Sequence, residues 1–410
     1  MMENSAPATE PHTGLRRSLS LPMAVFYGVG NILGAGIYVL IGKVAGVAGY
    51  FTPLAFIFSA LIVVPTAFTY AEWVSRSPRS AGEAVYVNEA FGIRILSTAV
   101  GLLILVAGIV SSSALVRGFL GYLKVLMPVN ETFAIWFLVL VLGMIAVWGI
   151  NQSVRIVSII TVLEITGLLA VIFTGLQHDV VVPSGLAQTA LINWEGIWFG
   201  AFLAFYAFLG FEDMVNIAEE VQRPRLNLPR AIIIALIITS VLYASVAIVV
   251  QRVLTPAELA ASEAPMSDIV TRAMGRGGPI IAIVSMFAVL NGALVQMIMS
   301  SRVLFGMGRQ GWIPTVFRQV WPVTRTPVLA TMTTMIGVIV FALYFPIQSL
   351  AAITSFLVLV VFAIINFSLI KVKLRTGQKT VPFQIPIWVP VLGVLTTIGL
   401  AGFSLLQYLG

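Results

Sequence analysis

No cysteine occurs among the 410 residues, which excludes disulfides and thiolate-held metals and leaves the redox compartment unreadable. Histidine is nearly as scarce. Its two copies, His12 and His178, lie in the amino-terminal stretch and in a connecting loop, and neither a His-Glu-x-x-His nor a Gly-x-Ser-x-Gly pattern occurs. A membrane enzyme would need nucleophiles, metal ligands or paired acids at depth, so catalysis is disfavoured and no cofactor or metal is expected. Charge is the third shortage: 10% of the residues are charged, against about 25% in an ordinary soluble domain. What is abundant is apolar surface, with 59% hydrophobic residues and a mean hydropathy of +1.02. Apolar stretches of about 20 residues, enough to cross a bilayer core, recur from end to end and leave no room for a soluble domain. The net charge of +7 would suit nucleic acid. The basic residues, however, sit in short loops between apolar runs, where they set the orientation of a membrane protein. The expected partner is therefore the lipid bilayer and not nucleic acid.

Apolar runs read against Gly, Pro and charge punctuation predict eleven spans, near 22–45, 53–73, 97–123, 133–150, 155–176, 195–219, 229–251, 279–306, 327–345, 348–370 and 386–408. The first 20 residues are polar, carry Pro7, Pro11, Arg16 and Arg17, and lack an apolar core with a cleavage site, so they read as a cytoplasmic tail. With the amino terminus inside, seventeen of the 23 basic residues fall in cytoplasmic segments. Lys43, Arg117, Lys124, Arg252, Arg272 and Arg276 fall outside. An all-α, multi-pass inner-membrane protein with a cytoplasmic amino terminus is the expectation. Segment 79–94, with Glu83, Tyr86, Glu89 and Phe91, is expected as a small amphipathic helix at the cytoplasmic surface.

Two spans are interrupted. The first carries Gly28, Gly30, Gly34, Gly36, Gly42 and Gly46, although glycine weakens a helix by about 1 kcal/mol relative to alanine. The sixth places Glu212 and Asp213 just after Gly210 in an apolar run, and such charges usually face a cavity. The two spans hold equivalent places in consecutive five-span units, 21–176 and 195–371, with 386–408 as an additional span. Broken helices at matching positions of two inverted halves point to a transporter's midplane site. Unwinding frees N–H groups that favour an anion and C=O groups that favour a cation, so one gap holds a zwitterion. Glycine leaves no side chain between ligand and backbone. The amides of Ala35, Gly36 and Ile37, after Gly34, are expected to hold a carboxylate. The carbonyls of Ile32, Tyr206, Ala207 and Leu209, beside Gly210, are expected to take an ammonium. Glycines four apart, as in Gly30/Gly34 and Gly42/Gly46, serve equally for close helix packing.

Three stretches carry a resemblance to the amino acid-polyamine-organocation superfamily of secondary transporters, close to its bacterial cationic and L-amino-acid permease branches. GVGNILGAGIYVLIG resembles the family's first helix with its central Gly-x-Gly. FYAFLGFEDMVNIAEEVQRPRLNLPRAI resembles its sixth helix and following loop. LNGALVQMIMSSRVLFGMGRQGWIPTVF resembles its eighth helix with the Arg-x-Leu-x-x-Met-x-Arg-x-Gly-x-x-Pro tail. The resemblance implies ten core helices in two inverted repeats, a LeuT-like fold that moves an amino acid or amine by alternating access. It places the same residues, Ile32, Gly34 to Ile37, Tyr206, Ala207 and Leu209, at the substrate. Tyr206 falls where some relatives have an aromatic that closes over the substrate, and Glu212 where many have an acid used in gating or proton sensing. Three departures stand out. Ala35 replaces a frequent serine, a twelfth span is missing, and Glu164 stands near the point where several members have lysine.

Glu164 reads two ways. Burial disfavours a charged carboxylate, which suits a proton-coupling site, while a neutral Glu164 hydrogen-bonded to helix one or eight would hold the scaffold. Glu212 is read likewise. Asp213 is expected to point elsewhere, and Glu219 and Glu220, beside Arg223 and Arg225, to form a solvated rim. Ser111, Ser112 and Asn291 are candidate pocket residues, though hydroxyls in membrane helices usually bond backbone. Tyr27, Tyr38, Trp198, Phe202 and Phe205 are candidates for an apolar side-chain pocket. A channel would show rings of repeated polar groups, and a non-transporting sensor of the same fold would bind amino acids without flux. The reading is a transporter for amino acids or related amines, coupled to protons or to a counter-substrate. A polyamine carrier is the nearest alternative. The sequence carries no signal for oligomeric state.

Overall fold

A computed structural model describes residues 19–34, 36–78, 82–148, 154–178, 192–218, 220–324, 326–376 and 381–409. Among them there is no strand, only an isolated bridge between Leu19 and Val221. Nine helical stretches are long and apolar enough to cross a membrane, and Leu21–Leu33 and Val328–Tyr344 are shorter apolar helices.

The helices run in chain order α1 (Leu21–Leu33), α2 (Ile37–Ala48), α3 (Thr52–Arg76), α4 (Gly82–Phe91), α5 (Arg94–Leu126), α6 (Glu131–Trp148), α7 (Val154–Gln177) and α8 (Trp194–Phe205). After them come α9 (Pro224–Val253), α10 (Pro256–Ala261), α11 (Pro265–Met274), α12 (Gly278–Arg309), α13 (Val328–Tyr344), α14 (Ile347–Thr376) and α15 (Trp388–Leu409). Each predicted apolar run contains helix. The run 22–45 is split into α1 and α2, and the run 195–219 is α8 followed by two 3-10 segments, Tyr206–Phe208 and Glu212–Ile217. Several helices outlast the apolar run that betrays them. The predicted span 97–123 extends to Arg94 and Leu126 because a helix needs no apolar side chain once its end reaches polar surroundings.

The amphipathic segment expected at 79–94 is α4, which buries Glu83, Tyr86, Val87 and Ala90. Helices α10 and α11 were not legible as apolar runs. Their signals are local: Thr255 and Glu258 form a capping box, and prolines open both.

Besides extensive contacts of α14 with α5 and α15, of α1 with α9 and of α3 with α8, the bundle packs α5 with α12, α3 with α9, α2 with α8, and α6 with α13. Numbered as predicted spans, the last four pairs are three with eight, two with seven, one with six, and four with nine. Large apolar side chains such as Leu61, Phe137, Val241 and Leu395 remain exposed around the bundle, as lipid-facing residues must.

Candidate substrate site

The first span breaks between Leu33 and Ile37. The Gly34 amide closes α1 on Gly30 O at 3.1 Å, and the next helix starts from Gly36, whose carbonyl accepts from Leu40 N at 2.8 Å. No side chain caps α2, and the first amides of a helix have no intrahelical acceptor. Ala35, expected to contribute one of these amides, lies outside the described residues. The break is pressed against two other elements. A Cβ on Gly36 would lie 1.9 Å from Ala207 Cα, and one on Gly34 would lie 3.2 Å from Ala288 O of α12. Neighbouring glycines do the packing work instead: a Cβ on Gly42 would lie 2.2 Å from Leu259 O, and one on Gly30 would lie 1.9 Å from Thr161 Oγ1. The close-packing reading of the glycine-rich span is thus met at Gly30 and Gly42.

The sixth span loses its α-helix at Phe205. Leu209 is extended at φ −64°, ψ 147°, and its amide donates to Tyr206 O at 3.3 Å. Gly210 has φ +117°, a conformation that L side chains rarely adopt. Its amide donates to Glu212 Oε2 at 2.8 Å, and its carbonyl accepts from Asn31 Nδ2 at 2.6 Å. The expectation that Asp213 points elsewhere is corrected. Asp213 Oδ2 accepts from Asn31 and Gln296, each at 3.3 Å, and shares with Glu212 a cavity of about 40 Å³. Glu83, Ser111 and Gln296 also line it.

Two of the four expected amine-side carbonyls, Ile32 O and Ala207 O, meet around a residue that sequence reading missed, while Tyr206 O accepts from Leu209 N. Tyr243 Oη, from α9, lies 2.8 Å from Ile32 O and 2.9 Å from Ala207 O. One hydroxyl proton serves two acceptors, so neither carbonyl is fully satisfied. In sequence Tyr243 is a single aromatic in an apolar span, indistinguishable from packing.

Glu164 on α7 is wholly buried, and neither carboxylate oxygen has a hydrogen-bond partner among the described residues. Asn291 faces it from α12, and its backbone carbonyl accepts from Tyr38 Oη of α2 at 2.6 Å. Tyr122 in turn donates to Tyr38 O. The expected bond between the Glu164 side chain and helix one is therefore made by its main chain. Ser111 Oγ lies 3.0 Å from Tyr206 Oη, whereas Ser112 Oγ donates to Ala293 O at 3.0 Å and serves helix packing. Phe202 and Phe205 are buried in the core, while Trp198 stacks on Phe58 at the bundle's outer face. Glu219 lies outside the described residues.

Glu83, on the surface helix α4, is the one acid at the small cavity that lies outside the spans. Burial pushes its carboxyl up to about 7, and the nearby Asp213 carboxylate adds to the rise. Its own backbone amide and the Tyr70 hydroxyl, 3.1 Å away, oppose it.

Helical spans packed around two facing breaks define a multi-pass membrane protein. The chain belongs to the amino acid permease family, which matches residues 19–407. It is 27% identical to the branched-chain amino acid permease BcaP of Bacillus subtilis, over 94% of this chain and 87% of that protein. It is 26% identical to the methylthioribose transporter of the same organism, over 93% and 86% of the two chains. With the vacuolar cationic amino acid transporter 2 of Arabidopsis thaliana the identity is 28%, over 87% of this chain and 60% of the plant protein.

Proposed function

We propose that this permease is a secondary active transporter of α-amino acids that works by alternating access. It has eleven spans in the inner membrane, a cytoplasmic amino terminus and two inverted halves, 21–176 and 195–371, with 386–408 as an extra span. The observation that carries the reading is the meeting of Ile32 O and Ala207 O at one tyrosine hydroxyl, beside the closest approach of Gly36 to Ala207. A substrate ammonium brings three donors where Tyr243 brings one, so it satisfies both carbonyls and competes with the hydroxyl for them. The carboxylate then lies toward the uncapped amides of Gly36 and Ile37, with Ala35 between Gly34 and Gly36 adding a third, and Tyr206, Leu209 and Gly210 complete the gap. Pairing of each of four spans with the span five later supports the inverted-repeat arrangement.

Proton coupling is assigned to Glu164 and Glu212. Both carboxyls are buried, and Glu212 has the Gly210 amide as a partner; a buried carboxylate is costly when charged, so a proton taken up there and released on opening links the substrate cycle to a proton gradient. The acids Glu83, Glu212 and Asp213 at one cavity favour a substrate bearing a further positive group, which keeps the cationic amino acids and amines as the second reading.

The test is a thermal-shift screen of the purified protein against the twenty standard amino acids and common polyamines, followed by uptake into liposomes. Stabilisation by amino acids with saturable uptake stimulated by internal counter-substrate is expected. Tight binding without flux would make the protein a sensor, and stabilisation by polyamines alone would displace the amino acid reading.

A further inference from the structure

A second cavity, of about 300 Å³, opens at the end of α2 away from the amino terminus, which is the outer mouth in the orientation proposed above. Its charged lining is Lys43, Arg117, Lys124, Glu131 and Glu263, three cations against two anions. Lys124 is satisfied by both acids, at 2.6 Å from Glu131 and 2.8 Å from Glu263. Neither of the other two cations is hydrogen-bonded to a carboxylate. Lys43 Nζ donates to Ala260 O at 2.6 Å and Arg117 Nε to Ala342 O at 2.9 Å, while Arg117 stands 3.8 Å from Glu131, too far for a hydrogen bond. An ammonium has three donors and a guanidinium five, so both keep donors for a ligand.

The floor is Val39, three residues beyond Gly36, and helical rise puts it about 4.5 Å above the break. A Cβ on Gly118 would lie 2.4 Å from Val39 Cγ2, so α5 closes tightly over that floor. The cavity is thus one helical turn and one side-chain contact away from the central site.

We propose that this cavity is an outer holding site for an α-amino acid, whose carboxylate is taken by Lys43 and Arg117 before the substrate passes Val39 to the break. Glu131 and Glu263 face the ammonium, and Leu120 and Ile347 offer apolar wall to the side chain. The excess of cations selects against amines that lack a carboxylate. The inference rests on the transport reading, and gives it a route of entry and a reason to prefer amino acids over polyamines.

The chain has no cysteine, so Gln348→Cys places a single thiol in the cavity wall of the full-length protein. Labelling in liposomes with a negatively charged thiol reagent is measured with L-leucine, L-arginine or putrescine present. At least one amino acid should slow labelling about tenfold, as a charge-assisted contact allows, and putrescine should not. Adding Lys43→Gln or Arg117→Gln should abolish that protection while the thermal midpoint stays near the parent's; two variants guard against one failing to fold. In uptake the same changes should raise KM about tenfold with the maximal rate retained. Protection by neither amino acid, equal protection by putrescine, or protection that survives both substitutions overturns the proposal. Intact protection without any flux would sink the transport reading and leave the holding site standing.

Discussion

Glu164 brings two carboxylate oxygens into the interior of the bundle and makes no hydrogen bond of normal geometry with either among the described residues, although the Asn291 side chain faces it. A purely structural carboxyl would be bonded, since leaving a buried polar group unpaired costs about 1–3 kcal/mol. Glu164→Gln removes the proton site and keeps the shape. Uptake measured across external pH should lose its pH dependence while the thermal midpoint holds or rises; an unaltered profile would reduce Glu164 to a scaffold role. Such a residue is legible in sequence because one charge in an apolar run cannot be hidden. Tyr243 is not, because its role lies in which two carbonyls its hydroxyl reaches, and those lie 36 and 211 residues away along the chain. Glu83 gives a second prediction at this scale. Its ordinary pKa of 4.5 is raised to about 7 in the folded protein, so the buried neutral form helps dock α4. That contribution is complete below pH about 4.5 and is lost as pH rises through about 7, a difference of at most about 3 kcal/mol. Protection of segment 82–91 against hydrogen exchange, taken relative to the intrinsic rate at each pH, should therefore fall between about pH 6 and 8, and Glu83→Gln should flatten the change.

At the scale of single elements, the breaks in the first and sixth spans matter most. Their existence was legible from Gly34, Gly36 and Gly210 and from acids in an apolar run. The form of the sixth was not: 3-10 turns over Tyr206–Phe208 and Glu212–Ile217 follow from contacts with Asn31, Gln296 and Tyr243 that no local pattern encodes. The helices at Pro256–Ala261 and Pro265–Met274 escaped an apolar-run reading because they are short and polar on one side. Gly36 tests the breaks as a pair. A side chain there has to displace the Ala207 backbone, since even a Cβ would come within 1.9 Å of Ala207 Cα. Gly36→Val should weaken amino acid binding by at least about 100-fold, the equivalent of about 2.7 kcal/mol, in a protein whose far-ultraviolet circular dichroism stays helical. Wild-type affinity in a thermal-shift titration would remove the backbone site from the proposal.

For the molecule as a whole, alternating access requires one mouth to be fastened while the other is open, and magnitudes decide which contacts can act as the fastener. The mouth beyond α2 holds a cavity of about 300 Å³, and the one toward the amino terminus only about 40 Å³. Two structures hold the narrow side together. Glu72, fully buried, lies 2.5 Å from Arg76 and 2.7 Å from Lys373 and accepts from Ile385 N at 2.8 Å, joining α3, α14 and the segment before α15. Breaking a buried ion pair costs about 3–5 kcal/mol, too much for a contact that must open in every cycle, so this cluster belongs to the scaffold. The other is the bridge of Leu19 to the chain after the sixth span, made by Leu19 N to Glu220 O at 3.0 Å and Gln222 N to Leu19 O at 2.8 Å. Two backbone hydrogen bonds at about 1 kcal/mol each form a latch that thermal motion releases readily. The bridge ties the start of the first span to the end of the sixth, the two elements whose breaks form the proposed site, so its release would loosen both at once. Gln222→Pro deletes one donor and still permits the extended backbone that Val221 adopts in the bridge. With Ile104→Cys in the wall of the small cavity as the only thiol, labelling from the amino-terminal side should run roughly five- to tenfold faster in the proline variant, as loss of one such bond implies. Equal labelling rates with and without the proline would show that the narrow mouth is held by something other than this bridge.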